Sequence, residues 1–266
     1  MVFQPFEITS VITLIRIRRM KAIEKPQVII TTSLFILLAI IILMLMTAGC
    51  VSDSIEGNRD PVAQERPTQS FTDVVAQGSF TVFIVADTVN RVIVKCESNI
   101  LPYLYTTTNG STITIGYKSG YAIHEHNPVE VYLHMPVLHS AKLAGSGRVE
   151  CSSLITNAVS LNLSGSGTIT GDFIAVTLNA EISGSGNMEL TGTAGTSQLT
   201  ISGSGDIDAQ DLAIEHCSAD ISGSGNIIAG VNKTLDAAIS GSGNIFYHGN
   251  PAIASHITGS GKVERY

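Results

Sequence analysis

A Gly-Ser-Gly triplet recurs seven times, at Gly145/Gly147, Gly165/Gly167, Gly184/Gly186, Gly203/Gly205, Gly223/Gly225, Gly241/Gly243 and Gly259/Gly261, with spacings of 18 to 20 residues. Two residues before each triplet stands an aliphatic side chain: Leu143, Leu163, Ile182, Ile201, Ile221, Ile239 or Ile257. Two residues after it stands another apolar one: Val149, Ile169, Met188, Ile207, Ile227, Ile245 or Val263. A repeat this short cannot bury its own apolar side, so successive copies must stack and share a core, as in a solenoid. Eighteen to twenty residues suit one coil of two or three short strands joined by tight corners. Equivalent positions one coil apart lie about 4.8 Å from each other, which makes seven coils a rod on the order of 30 Å long. The two apolar positions then form two internal ladders. Of the chain's 25 glycines, 14 sit in the triplets, where both glycines of a corner serve φ > 0 and close approach of the next coil.

The residues around the corner carry the same logic. The triplet serines would stack as a hydroxyl ladder. Asn187, Asn226 and Asn244 follow their triplets at positions suited to a turn, where an amide bonds locally and tolerates the left-handed region. Arg148 and Lys262 replace them in the first and last copies, as expected of capping repeats with a polar edge.

Ahead of the repeats, short β-type runs span residues 71–142: FTDVV, SFTVFIVA, RVIVKC, STITIGY and VEVYLHM, with alternation in Val92/Val94, Ile113/Ile115 and Val129/Val131/Leu133. No segment beyond Cys50 holds a 3.6-residue period of helix length. The exported part therefore reads as all-β. Residues 50–70 hold two prolines and almost no large apolar side chain, and read as a solvated tether.

Residues 28–48 are 21 uncharged, mostly apolar residues preceded by Arg16, Arg18, Arg19, Lys21 and Lys25. Such a run is long enough to span a bilayer, and the basic flank keeps its N-terminus in the cytoplasm. Met20 is as good a start as Met1, since it leaves a more ordinary export signal. The run ends at Thr47-Ala48-Gly49-Cys50, which resembles a lipobox with Thr47 in place of the usual Leu. Cleavage with lipid attachment at Cys50 and an uncleaved signal anchor both remain open. Either tethers the chain to a membrane with the following domain outside. Without residues 1–49, ten basic and twenty acidic residues remain, net −10, against −7 for the whole chain. That balance argues against a nucleic-acid partner, whose binding needs Lys and Arg to neutralise phosphates.

The remaining chemistry-bearing residues are scattered. Cys96, Cys151 and Cys217 lack CxxC spacing, so they read as buried small hydrophobes, with pairing of two of them left open. His124, Glu125 and His126, with His134 and His139 nearby, are the only histidine cluster; solvated histidines in a loop are preferred over a metal site. GSGTITG at 165–171 misses the dinucleotide fingerprint by one residue and lacks a following helix. The calcium nonapeptide of other solenoids is absent, Asp206 being the only acidic residue directly after a triplet. Asp172, Glu189, Asp208 and Asp236 fall at unrelated offsets in their repeats, and only Arg148, Lys233, Lys262 and Arg265 are basic after residue 144. No convergent acid–base pair results, so no catalytic residue and no cofactor is expected.

FTDVVAQGSFTVFI, LYTTTNGSTITIGYK, VEVYLHMPVLHSAKLAGSG and the SGSGNI-type corners, in this order, resemble the family described as "putative auto-transporter adhesin, head GIN domain", over residues 71–266. The resemblance implies a right-handed parallel β-helix, or similar β-solenoid, displayed outside the cell. It brings no catalytic or ligand residues. The expected function is a non-catalytic, membrane-anchored surface module with an adhesin-like role and an unidentified glycan or protein ligand. The alternatives are a carbohydrate-binding or polysaccharide-cleaving β-helix and a structural envelope module that assembles through its ends.

Overall fold

The computed structural model describes residues 53–266, and the basic flank, the apolar run and Cys50 lie outside the described residues. Residues 52–266 form a compact unit with a core of their own. Among the described residues no helix is long and apolar enough to cross a membrane.

The chain alternates side chains in and out with period two, as any strand does, but the phase flips twice per coil. Between two triplets, Val149 and Cys151 point inward, Ser152 and Ser153 are both exposed, Leu154 and Thr156 point inward, Asn157 and Ala158 are both exposed, and Val159, Leu161 and Leu163 point inward. Each flip is a corner, so every coil has three faces and three corners. At two of the corners the pairing slips or skips and then resumes, as between Cys151 and Leu154. A coil is therefore one long strand: β11 (Arg148–Gly165), β12 (Thr168–Gly184), β13 (Asn187–Gly203), β14 (Asp206–Gly223) and β15 (Asn226–Gly241). Neighbouring coils pair in parallel, and Gly165, Gly184, Gly203, Gly223 and Gly241 fall in register. The expected short strands are thus segments of one long strand per coil, because the outer corners interrupt the pairing for at most three residues before it resumes.

Both predicted ladders line the core. Val149, Ile169, Met188, Ile207, Ile227 and Ile245 stack on one face, and Leu143, Leu163, Ile182, Ile201, Ile221 and Ile239 on another, all buried. Fully burying such a side chain contributes about 1.5–3 kcal/mol. The third face is less regular. Leu154, Phe173, Gly192 and Leu212 are successive partners there, and a Cβ on either Gly171 or Gly192 would collide with Phe173. Gly171 leaves room for the Phe173 ring, whereas Gly192 is kept small by the Phe173 carbonyl.

The N-terminal end is built by strands that the repeat pattern does not contain. These are β1 (Asp53–Glu56), β2 (Pro61–Arg66), β3 (Asp73–Gln77), β4 (Thr81–Ala86), β5 (Arg91–Glu97), β6 (Leu104–Asn109), β7 (Thr112–Tyr117), β8 (Tyr121–His124), β9 (Glu130–Met135) and β10 (Ser140–Gly145). β10 lies between β3 and β11, while β4 lies directly on β11, so β3 and β4 form an ordinary coil of the stack. β7 and β9 add parallel strands below them, and antiparallel β6, β5 and β2 finish that end. A 3-10 turn, Leu101–Tyr103, lies between β5 and β6, flanked by the buried Ile100 and Leu104.

The N-terminal end departs from the sequence reading at two places. The segment expected to be a solvated tether contains β1 and β2, paired to β8 and β5. Its strands escape notice because β2 leaves only Val62 and Arg66 even half-buried, which produces no apolar alternation. Arg148 does not cap an end either, since its partners are Thr81 on one side and Thr168 on the other. At the other end, β16 (Asn244–His248), β17 (Ala252–Gly259) and β18 (Lys262–Arg265) complete the described coils, with Ile253 and Ile257 exposed.

Candidate functional site

The corner column is the most regular feature of the surface. At Gly165 φ is +126°, and a Cβ would stand 2.5 Å from the carbonyl oxygen of Gly145 in the preceding coil. At Gly167 φ is not positive, but a Cβ would lie 2.5 Å from the carbonyl oxygen of Gly147. The same division holds along the whole column, and it corrects the expectation that both glycines of a corner serve a left-handed turn. Positive φ belongs to the first glycines alone, Gly145, Gly165, Gly184, Gly203, Gly223, Gly241 and Gly259. The second glycines, Gly147, Gly167, Gly186, Gly205, Gly225, Gly243 and Gly261, are absent from that conformation. Close approach alone excludes a side chain from them. A Cβ on Gly186 would run into the carbonyl oxygen of Gly167, one on Gly205 into that of Gly186, and one on Gly225 into that of Gly205. Gly243 and Gly261 meet the carbonyls of Gly225 and Gly243 in the same way. The first glycine is thus required by turn and approach together, the second by approach.

The Gly145 carbonyl accepts from the N–H groups of Ser166 and Gly167, each at 3.1 Å, so the backbone closes on itself and the serine side chains are left at the surface. All seven triplet serines are exposed.

The column begins one coil earlier than the triplets suggest. Gly78, at φ +152°, and Phe80 occupy the two glycine positions, with the Gly78 carbonyl accepting from Gly147 N–H at 3.0 Å and the Phe80 carbonyl from Arg148 N–H at 3.0 Å. Ala76 and Val82 stand at the two apolar positions around it. Phe80 fits because the next coil position beyond it holds Tyr117, whose ring it meets edge-on at 5.5 Å. The signal was present in AQGSFTV, hidden only by the missing second glycine.

Beside the column the expected asparagines do not turn the chain. They open their strands, and the only described non-glycine residues with positive φ are Arg59 and Ser153. Their amides bond from coil to coil instead: Asn226 Nδ2 donates to Asp206 Oδ1 at 2.9 Å, and Asn244 Nδ2 to Asn226 Oδ1 at 3.1 Å.

Two lateral surfaces are concave or apolar. Thr200, Asp220, Ala238 and His256, with the serine row Ser202, Ser222 and Ser240, line an open trough of about 400 Å³. Ile155, Ile174 and Val176 are exposed at 72%, 54% and 63% and line a second hollow of about 480 Å³. A third hollow, of about 370 Å³, lies at the N-terminal end between β2 and β6 and takes in Arg66 and Lys118.

The titratable groups singled out in the sequence are dispersed. His124 ends β8 and is exposed, whereas His134 Nδ1 lies 3.1 Å from Asp87 Oδ2. Among the described residues no three of His, Cys, Asp and Glu stand close enough to share a metal ion. Asp172 accepts from Ser153 Oγ at 2.8 Å, and Asp208 from the Gln210 N–H at 3.1 Å; both secure corners. Cys96, Cys151 and Cys217 are free and buried, and burial pushes their thiols up to about 11, 12 and 12.

One buried carboxylate went unrecognised in the sequence. Glu97, fully buried, accepts from the N–H groups of Arg59 and His126 and from Asn127 Nδ2, binding the β1–β2 loop and the loop after β8 to the end of β5. Burial alone would raise its pKa, but the backbone donors together hold it below the ordinary value. Nothing in RVIVKCESN marks Glu97 as different from an exposed glutamate at a strand end.

Among solved structures, the fold is similar to that of a putative adhesin from Bacteroides fragilis, with a TM-score of 0.76, 21% identity, and coverage of 80% of this chain and 100% of that one. It is also similar to a putative lipid binding protein from Parabacteroides distasonis (TM-score 0.68, 24% identity, 80% and 100% covered). A putative adhesin from Parabacteroides merdae compares at TM-score 0.66 and 21% identity, with 81% and 100% covered. No curated protein matches the sequence. The family model described as "putative auto-transporter adhesin, head GIN domain" matches residues 70–251, and the chain belongs to that family.

Proposed function

We propose that the protein is a membrane-tethered, non-catalytic surface module whose solenoid displays its faces to an external ligand, in an adhesin-like role. The observation that carries this reading is the uninterrupted stack: each coil adds the same small polar corner and three flat faces, with no long loop between β11 and β15. Family membership supports a place at the cell surface. The tether rests on the uncharged residues 28–48 and on Cys50. A carbohydrate ligand is the second reading, favoured by the trough in which Asp220, His256 and the serine row offer hydrogen-bonding groups at the strand spacing.

A glycan array read together with a polysaccharide degradation assay tests both. Retention of a glycan without product is the expected result for a binding module, and it should weaken when Asp220 and His256 are replaced by Ala. Product formation overturns the non-catalytic reading. Binding to whole cells without glycan retention favours a protein ligand.

A further inference from the structure

We propose that the hollow between β2 and β6 is a binding site for the phosphate of an anionic lipid headgroup. The exported part carries twenty acidic residues against ten basic ones, yet this hollow is lined by Arg66 and Lys118 and by no carboxylate. Leu101, Pro102 and Leu104 supply an apolar part of the lining, and Tyr105 a ring with a hydroxyl. Cations beside an apolar surface suit a ligand that joins an anion to an apolar body.

Arg66 is held as a binding group would be. Its Nη1 donates to the Leu104 carbonyl at 2.7 Å and its Nη2 to the Leu101 carbonyl at 3.0 Å, fixing the guanidinium across the end of the core. Those two bonds use two of five N–H groups. Nε is buried and has no partner among the described residues. Net positive charge is therefore held in place by carbonyl dipoles, and among the described residues no acid in the lining neutralises it. An ion pair with phosphate is the favourable completion of such a group, and it gains from the partial burial of the guanidinium.

The apolar side chains beside the two cations select a lipid as the source of the phosphate. The turn Leu101–Tyr103 is joined to the start of the fold through Tyr103, whose ring lies 4.6 Å from that of Tyr121 on β8, the strand that pairs with β1. The uncharged run ends at Ala48 and β1 begins at Asp53. On the membrane-tethered reading, on which this inference rests, four residues separate the run from β1.

Residues 52–266 have their own core, and the solved relatives consist wholly of the matching region, so this part is tested alone. Co-sedimentation with phosphatidylglycerol vesicles is expected, with little on phosphatidylcholine. Lys118→Gln, an exposed residue whose loss leaves the fold intact, should weaken binding about fivefold, and Arg66→Gln in addition should weaken it about fivefold again. Lys142→Gln, an exposed lysine on β10 outside the hollow, should stay within twofold of the unaltered protein; circular dichroism checks the fold of each. Absence of binding to phosphatidylglycerol, or equal weakening by Lys142→Gln and Lys118→Gln, overturns the proposal. So does saturable binding of glycerol phosphate, lost with Lys118→Gln, when vesicles are not bound. The tether is tested separately by fractionating cells that make the full chain: its release into the soluble fraction overturns the tether and leaves the vesicle result to decide the site.

Discussion

Gly165 and Ser166 are neighbours on one corner with opposite tolerance to change. The glycine combines φ of +126° with a carbonyl where a side chain would begin, whereas the serine side chain is exposed. Strain at such an angle costs about 1–3 kcal/mol and displacement of a packed neighbour a similar amount. Gly165→Ala should therefore lower stability by at least about 2 kcal/mol in urea unfolding, while Ser166→Ala should stay within about 0.5 kcal/mol. Both glycines could be read from the sequence, because a backbone requirement repeated every coil leaves a repeated residue. Their different reasons could not, since a turn and a close approach call for the same residue. Phe80 could not be read either, because a single aromatic is accommodated at the end of the column by Tyr117 and leaves no repeat.

Among the elements, β1 and β2 depend on a contact that only the fold reveals. Their shared loop is held by the Glu97 carboxylate through the Arg59 N–H, and the loop after β8 through the His126 N–H. The pKa of this group is lowered in the folded protein, so its contribution is fully present above the ordinary value of 4.5 and is lost as the pH falls through the folded value beneath it. Hydrogen exchange in residues 53–66, taken relative to the intrinsic rate at each pH, should accordingly quicken in acid before exchange in the coils does. Glu97→Gln should quicken it already at neutral pH and remove its acid dependence, because an amide cannot accept from donors on both sides. Equal exchange in the two proteins at pH 7 would count against the clasp. The coils from β11 to β15 were legible by contrast, down to their two ladders. The third face was not, because the successive partners Leu154, Phe173, Gly192 and Leu212 do not repeat one residue type from coil to coil.

For the whole molecule, near-identical register between coils makes stability close to a sum over coils and their interfaces. Deleting residues 204–223 joins Gly203 to Ser224 and places Ile201 against Ile239 and Met188 against Ile227, both already partners of the same apolar ladders. The shortened protein should retain its β-type circular dichroism and a cooperative melt at a lower Tm; a deletion that unfolds the domain would contradict additivity. The N-terminal hollow was beyond the reach of the sequence, since Arg66 lies far along the chain from Leu104 and Lys118, whereas the trough follows the repeat, with Thr200, Asp220, Ala238 and His256 each three residues ahead of a triplet glycine. The in-register pairing has one further consequence. From β12 to β15, each strand finds its partner in the strand made just before it, at a separation of one coil. Once the N-terminal end has closed, the lengthening chain can wind onto a finished template one coil at a time, and growth of the fold keeps pace with emergence of the polypeptide.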